Sequence, residues 1–202
     1  RGLSGCRYAD SDLRVGAISR LSIERLRALL PAQPTRAAVL IPLVDRGEEL
    51  TVLLTHRSSE LKHHAGQISF PGGRLEPGDD NAIAAALRET EEEIGLRREF
   101  IEVIGCLPDH VVISGYRVTP VVGLVSPGFE LVLDPTEVSG TFEAPLTHLL
   151  NPATHTRRLR RFGGEDLEVL ELPWGQHTIW GATAGMLMTL LEVLGGAAVD
   201  DD

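Results

Sequence analysis

Cysteine, positive charge and long hydrophobic runs are all scarce in this sequence of 202 residues. Cys6 and Cys106 are the only cysteines and form no C-x-x-C pair, so we expect no structural zinc and a reducing, cytoplasmic setting. Basic residues number 19 against 29 acidic ones, which disfavours long nucleic acids and anionic membranes as partners. No apolar run approaches the ~18 residues of a membrane-spanning helix, and no signal peptide is predicted. A small anionic substrate still fits, provided that a metal ion supplies the positive charge.

The composition is that of a folded domain, with 43% hydrophobic and 24% charged residues. We expect residues 1–35 to form an N-terminal extension with a helix over 19–30, which Pro31 and Pro34 end. Residues 36–194 should form the main domain, and residues 195–202 a disordered tail.

Apolar segments typical of strands lie on both sides of one strong helix. The predicted strands cover 37–44, 50–57, 66–70, 100–107, 116–125, 129–133 and 166–174. A short helix or turn is predicted over 144–151, and an apolar C-terminal helix over 181–194. This order predicts an α/β fold in which a mixed sheet lies between helices.

The strong helix precedes and includes the stretch RETEEEIGL (88–96). Asp79, Asp80 and Asn81 offer an N-cap, and Gly95 a left-handed end. Glu89, Glu92 and Glu93 follow the spacing i, i+3 and i+4, so they lie on one face, whereas Glu91 does not. Ala82, Ala85 and Ala86 lie upstream on about the same face and should leave room there for a loop or ligand.

The three carboxylates alone favour a solvated acidic face, although each like-charged pair costs an isolated helix ~0.2–0.5 kcal/mol. The alternative is a site for Mg²⁺ or Mn²⁺, which prefer oxygen ligands. The preceding stretch SFPGGRLEPGDD (69–80) supports the metal site, because a glycine turn before a helix N-terminus lets backbone approach an anionic ligand closely.

At this point the sequence resembles a known family. Gly73, the R-E-x-x-E-E-x-G core of 88–95 and Leu96 resemble the signature of the Nudix hydrolases, G-x5-E-x7-R-E-U-x-E-E-x-G-U. The chain departs from it in three places: one extra residue between Gly73 and Arg88, an aspartate (79 or 80) for the early glutamate, and Thr90 for an apolar residue.

A second segment narrows the resemblance. Residues 53–73, LLTHRSSELKHHAGQISFPGG, are similar to the segment that marks the coenzyme A diphosphatase branch of the family. Members of that branch also have the one-residue extension and the aspartate in the turn. The resemblance implies a Nudix-type α/β/α sandwich and a metal-dependent hydrolase. Its reaction would cleave the pyrophosphate of coenzyme A, or of its derivatives, into 4'-phosphopantetheine and adenosine 3',5'-bisphosphate.

The resemblance also implies roles for particular residues. Glu89 and Glu93 would be metal ligands, Glu92 a ligand or the general base, and Arg88 a residue that orients a glutamate, with Mg²⁺ or Mn²⁺ as cofactor. The candidates for substrate binding are Arg57, Lys62, His64, Gln67, Gly72 and Gly73. Arg57, Lys62, His64 and Gln67 lie outside the glycine turn. For these four residues a purely structural role is an equally good interpretation.

Several alternatives remain open. The substrate could be ADP-ribose, a dinucleotide or a nucleoside triphosphate, for which the 53–70 segment is not required. A binding module without catalysis would be expected to lack the three glutamates. The basic stretch RRLRR (157–161) reads as a solvated loop or strand, and the two tryptophans as packing residues rather than stacking partners for adenine. Glu137 and Glu143 are candidates for an extra carboxylate, and a homodimer is one of the open oligomeric states.

Overall fold

The computed structural model describes residues 14–15, 33–58, 66–112, 114–162 and 165–197. In these ranges the strands are β1 (Arg14–Val15), β2 (Thr35–Asp45), β3 (Leu50–Arg57), β4 (Ile68–Ser69), β5 (Gly72–Arg74), β6 (Ile101–Cys106), β7 (His110–Val112), β8 (Tyr116–Val125), β9 (Val138–Pro145), β10 (Thr156–Phe162), β11 (Glu165–Trp174) and β12 (His177–Trp180). The α-helices are α1 (Ala82–Ile94), α2 (Leu146–Leu149) and α3 (Gly181–Ala197), and Arg98–Phe100 and Pro152–Thr154 are 3-10 turns.

The strands form one large mixed sheet and one small antiparallel sheet. The order in the large sheet is β1-β7-β8-β2-β3-β4, while β5, β6 and β9 pair with β2, β8 and β3 respectively. Its centre is the parallel pair of β2 and β8, which runs from Thr35 opposite Tyr116 to Val44 opposite Val125. The small sheet has the order β10-β11-β12.

Helix α1 covers one face of the large sheet. Its alanines Ala82, Ala85 and Ala86 are buried in a cluster with Ala38 and Leu40 of β2. The expectation that these alanines leave room for a ligand is therefore wrong. Their small side chains instead bring the helix close to the sheet.

Helix α3 and the small sheet cover the opposite face. Leu187 and Leu190 of α3 share the largest core cluster with Ile41 and Leu54 of the sheet and with Leu172 of β11. The mixed sheet thus lies between helices, and the predicted α/β sandwich is confirmed.

The predicted strand over 129–133 is wrong. This apolar stretch carries no strand, because its backbone groups bind the end of α1 instead of a neighbouring strand. The N–H groups of Val132 and Asp134 donate to the carbonyl oxygens of Ile94 and Glu93, both at 2.9 Å. Residues 126–137 therefore form a connection that crosses the end of the helix and ends in a turn over 135–137.

The ends of the chain are described only in part. The predicted helix over 19–30 lies outside the described residues, as do residues 198–202. Helix α3 continues to Ala197, three residues past its predicted end. None of the described helices is both long and apolar enough to cross a membrane. Cys106 is buried and disulfide-bonded.

Candidate active site

Helix α1 is fixed at both ends by the residues that the sequence indicates. The Asn81 side chain accepts a hydrogen bond from the Ala84 N–H at 3.0 Å, as an N-cap does. Gly95 takes the left-handed conformation with φ of 69° and donates its N–H to the Glu91 carbonyl. The last two turns of the helix therefore hold the glutamates in a defined orientation.

The glycine turn lies directly against these glutamates. The Gly72 N–H donates to Glu93 Oε2 at 3.0 Å. A Cβ atom at Gly73 would overlap the carboxyl group of Glu89. The two glycines thus present backbone to the carboxylates, which is the close approach expected of them, although the groups that they contact belong to the protein.

Burial sets the electrostatics of Glu93 and Glu89. Glu93 is only 3% exposed, and this burial raises its pKa to about 8 against the opposing effects of the Gly72 N–H and Arg57. Burial also raises the pKa of Glu89, an effect that Arg88 opposes. At both carboxylates the cost of burial outweighs the charge of the neighbouring arginine, and a bound cation would offset that cost.

Arg88 connects the turn to the helix. Its Nη1 donates to Glu89 Oε1 at 3.0 Å and to Glu92 Oε2 at 2.9 Å. Its Nε and Nη2 donate to the two oxygens of Asp79 at 3.0 and 2.9 Å. Contact with Arg88 holds the pKa of Asp79 below its usual range. Of the two candidate aspartates, Asp79 is the one that binds the arginine.

Glu92 and Glu91 differ from their buried neighbours. The Glu92 side chain is 59% exposed, and its Oε2 accepts a hydrogen bond from Arg88. Glu91 is exposed as well. The face that Glu89, Glu92 and Glu93 share therefore presents two enclosed carboxylates and one exposed carboxylate, that of Glu92.

A further carboxylate, that of Glu137, lies in the turn just before β9. The negative charge of Glu137 contributes to the raised pKa of both Glu89 and Glu93. Its carbonyl accepts the Ser58 N–H at 2.8 Å, which holds it beside the end of β3. Glu143 lies elsewhere, bound to Arg46 and to the Thr51 hydroxyl. Of the two extra carboxylates considered from sequence, only Glu137 acts on the site.

The donor set suits a hard divalent cation, which prefers carboxylate oxygens. In the part of the chain that the structure describes, no three His, Cys, Asp or Glu side chains are already arranged to hold an ion. The guanidinium of Arg88 contacts both Glu89 and Glu92. Glu89 and Glu93, enclosed and near Glu137, are the residues whose surroundings fit a cation.

The candidate substrate-binding residues are only partly described. Arg57 Nη1 lies 3.8 Å from Glu93 Oε1, and the Arg57 N–H donates to the Gln67 carbonyl at 3.0 Å. Lys62 and His64 lie outside the described residues. RRLRR forms most of strand β10, where Arg160 binds Glu171. Trp174 donates to the Glu143 carbonyl, which agrees with a packing role.

Comparison with known proteins gives a consistent result. Residues 34–168 match the family model of the NUDIX domain. A protein of Photorhabdus laumondii named "Uncharacterized Nudix hydrolase NudL" is 38% identical over 177 residues, covering 84% of this chain and 94% of that protein. Its namesake in Escherichia coli K12 is 44% identical over 162 residues, covering 79% of this chain and 83% of that protein.

Two solved structures share the fold. The Nudix hydrolase RenU of M. smegmatis superposes with a TM-score of 0.55 at 20% identity, covering 81% of this chain and 88% of that one. A MutT/nudix family protein of Enterococcus faecalis gives 0.53 at 20% identity, covering 87% and 71%. At this identity the likeness is one of fold.

Proposed function

This chain belongs to the Nudix hydrolase family, and from that premise we propose that it hydrolyses the pyrophosphate of coenzyme A. The products would be 4'-phosphopantetheine and adenosine 3',5'-bisphosphate. The main structural support for a hydrolase is the pair of enclosed carboxylates, Glu89 and Glu93, which lie against the glycine turn. The segment 53–73, with its resemblance to the coenzyme A diphosphatase branch, supports the choice of substrate.

Nudix hydrolases generally use a divalent cation such as Mg²⁺ or Mn²⁺. In this chain Glu89 and Glu93 would hold it, with Glu92 or Glu137 as a further ligand. The cation would neutralise pyrophosphate charge and lower the pKa of a bound water.

The residues of the chain supply orientation and a proton acceptor. Gly72 and Arg57 hold Glu93 from two sides, and Arg88 holds Glu89 and Glu92 in one network. In the reaction a water oxygen forms a bond to one phosphorus atom, and the bridging P–O bond breaks. We assign the Glu92 carboxylate to accept the water proton, since it is the open carboxylate of the helix.

Arg57 is positioned to meet substrate charge near the site. Its guanidinium lies close to Glu93 while only partly buried, so it can reach a phosphate oxygen as well. Gln67 is bound through its backbone to the same arginine. Both residues belong to the segment that resembles the coenzyme A branch.

The test is a substrate panel. The purified chain is incubated with Mg²⁺ or Mn²⁺ and coenzyme A, ADP-ribose, a dinucleoside polyphosphate or a nucleoside triphosphate, and the products are separated by mass. We expect coenzyme A to have the highest kcat/KM and to give the two named products, with no turnover when EDTA removes the cation. Faster turnover of ADP-ribose or a dinucleotide would refute the coenzyme A assignment while leaving the hydrolase intact.

A further inference from the structure

A cavity of about 450 Å³ opens between the end of β3, strand β4 and the β11–β12 hairpin. Its lining combines rings with hydrogen-bonding side chains: His56, Gln67, Gln176, His177, Thr178 and Trp180. Its size falls in the range of small-molecule sites, roughly 300–1,000 Å³. Of these lining residues, the proposed hydrolytic site uses only Gln67.

The described part of the cavity wall carries aromatic character without permanent charge. The His177 ring stacks on Phe142, with centroids 3.8 Å apart and planes 11° from parallel, and His56 lies 4.9 Å from His177. Burial, and then the neighbouring His177, lower the pKa of His56, so this imidazole is neutral near pH 7. Among the residues that the structure describes, no Lys, Arg, Asp or Glu lines the cavity. Such a wall suits a neutral ring better than a phosphate.

Trp180 is held in place from outside the cavity. The Arg160 guanidinium carbon lies 4.2 Å from the centroid of the indole ring. Two N–H groups of Arg160 donate to Glu171 Oε1 at 2.9 and 2.7 Å, and Glu171 is only 3% exposed. A buried carboxylate therefore fixes the arginine, and the arginine packs on the tryptophan. An aromatic wall fixed in advance costs less entropy when a ring stacks on it.

The remaining lining groups can read the edge of such a ring. Gln176 carries an amide donor and acceptor, and Thr178 carries a hydroxyl. A purine presents both donors and acceptors along its edge and a flat face for stacking. A flexible pantetheine arm would use the amides but gain little from the rings.

The cavity is joined to the catalytic carboxylates through β3. His56 lines the cavity, and the next residue, Arg57, contacts Glu93. His56 contacts His177 of β12 and Arg57 contacts Glu93 of α1, and these two elements cover opposite faces of the large sheet. The two sites therefore lie on opposite faces of β3 at the same end of the strand. Gln67 belongs to both, since it lines the cavity and its carbonyl accepts the Arg57 N–H.

We propose that this cavity binds the purine base of the substrate nucleotide, with the ring packed on Trp180 and His177 and its edge read by Gln176. The inference rests on the proposed function in that the substrate carries an adenine nucleotide. It adds residues outside the Nudix motif, on the C-terminal hairpin, to substrate recognition.

Tryptophan fluorescence provides a direct test, because the chain has only two tryptophans. The metal-free protein is excited at a wavelength where adenine does not absorb and titrated with adenosine 3',5'-bisphosphate or with 4'-phosphopantetheine. We expect saturable quenching by the bisphosphate only. Trp180→Phe should abolish it and Trp174→Phe should retain it, since Trp174 does not line the cavity. Quenching by phosphopantetheine instead, or quenching that survives Trp180→Phe, would overturn the proposal.

Gln176→Ala provides a second variant that should fold normally, because Gln176 is exposed. Calorimetry should show bisphosphate binding weakened about fivefold to tenfold, the scale of one lost hydrogen bond. In steady-state assays KM for coenzyme A should rise more than kcat falls. Matched affinity and KM in the variant and the parent protein would refute the base site.

The two proposals can fail separately. If coenzyme A is not hydrolysed but the bisphosphate binds and depends on Trp180, the substrate assignment is wrong and the base site stands. If coenzyme A is hydrolysed with the same KM in Trp180→Phe and Gln176→Ala, the base site is wrong and the function stands.

Discussion

Glu93 and Glu91 are two positions apart in α1, yet their surroundings are opposite. Glu93 is buried against the Gly72 N–H and Arg57, whereas Glu91 is exposed to solvent. A buried carboxylate without a full set of partners destabilises the fold, so its presence calls for a compensating function. The same residue type should therefore respond differently to substitution at the two positions.

Glu93→Gln should lower kcat for the hydrolysed substrate on the order of a hundredfold or more, the scale for removing a group that stabilises transition-state charge. The amide oxygen can still accept the Gly72 N–H. Because burial disfavours the charged form of Glu93 and raises its pKa to about 8, a neutral amide should leave the melting temperature of the metal-free protein unchanged or higher. The matched control, Glu91→Gln, should keep full activity. A fully active Glu93→Gln protein would exclude the proposed metal role.

Gly73→Ala should impair catalysis more than stability. The added methyl group would overlap the Glu89 carboxyl group, which can move because it is the end of a flexible side chain. We expect a lower affinity for Mn²⁺ in a titration of activity, with little change in the urea midpoint. At Gly78, in the same turn, no described atom lies within 4 Å of an added Cβ, so Gly78→Ala should behave like the parent. Equal effects of the two substitutions would contradict this role for Gly73.

The residues of α1 could be predicted from sequence because their roles depend on local spacing. The i, i+3 and i+4 pattern places the three glutamates on one side whatever the rest of the chain does. Glu137 could only be suggested, since its approach to Glu93 depends on how β9 pairs with β3. The contact of Gly73 with Glu89 likewise needs β5 to pair with β2.

At the scale of elements, the accuracy of prediction followed the strength of the local signals. Helix α1 has its cap at Asn81 and its left-handed end at Gly95, as predicted. Residues 129–133 are as apolar as a strand but bind the end of α1 through Val132. Strand β9 was missed, because its mixed composition becomes a strand only through its pairing with β3.

The contact between α1 and the connection over 126–137 predicts a large effect of Gly95→Ala. Gly95 has φ of 69°, and an added Cβ would lie 2.8 Å from the Val132 nitrogen. The left-handed conformation alone costs a non-glycine residue about 1–2 kcal/mol, and the backbone overlap adds to this. We expect a clear loss in the free energy of unfolding measured with urea.

Gly175→Ala separates the two contributions. Gly175 has φ of 56°, but no described atom lies within 4 Å of an added Cβ. This variant should show only the conformational cost and so be the less destabilised of the two. If both variants lose the same stability, the contact with Val132 has no energetic role.

At the scale of the whole molecule, the sequence predicts the α/β sandwich but not the small sheet that helps to cover one of its faces. Alternating apolar segments and one amphipathic helix suffice to indicate a sheet between helices. The three-stranded sheet β10-β11-β12 was not anticipated, since RRLRR carries little apolar signal and pairs with β11 only after the chain reverses. Contacts of this kind join residues that are far apart in the sequence, so local sequence patterns do not predict them.

One such contact joins the sheet to the last helix. His110 of β7 is 1% exposed, and its Nε2 lies 3.1 Å from the Thr189 hydroxyl of α3. Its Nδ1 has no hydrogen-bond partner among the described residues. Burial, followed by the charge of Arg14, lowers the pKa of His110 to about 3. The folded protein therefore holds this imidazole neutral at pH values where an exposed histidine is charged.

This depressed pKa predicts acid sensitivity with a defined range. Above pH ~6.5, the ordinary pKa of histidine, both the folded and the unfolded states are neutral at this site and its contribution is constant. As the pH falls from there toward 3, only the unfolded chain binds the proton, so stability drops by up to ~1.4 kcal/mol per pH unit. His110→Gln should remove that part of the slope when urea unfolding is compared at pH 7, 6 and 5. A variant with the parent's slope would place the acid sensitivity elsewhere and leave His110 as packing between the sheet and α3.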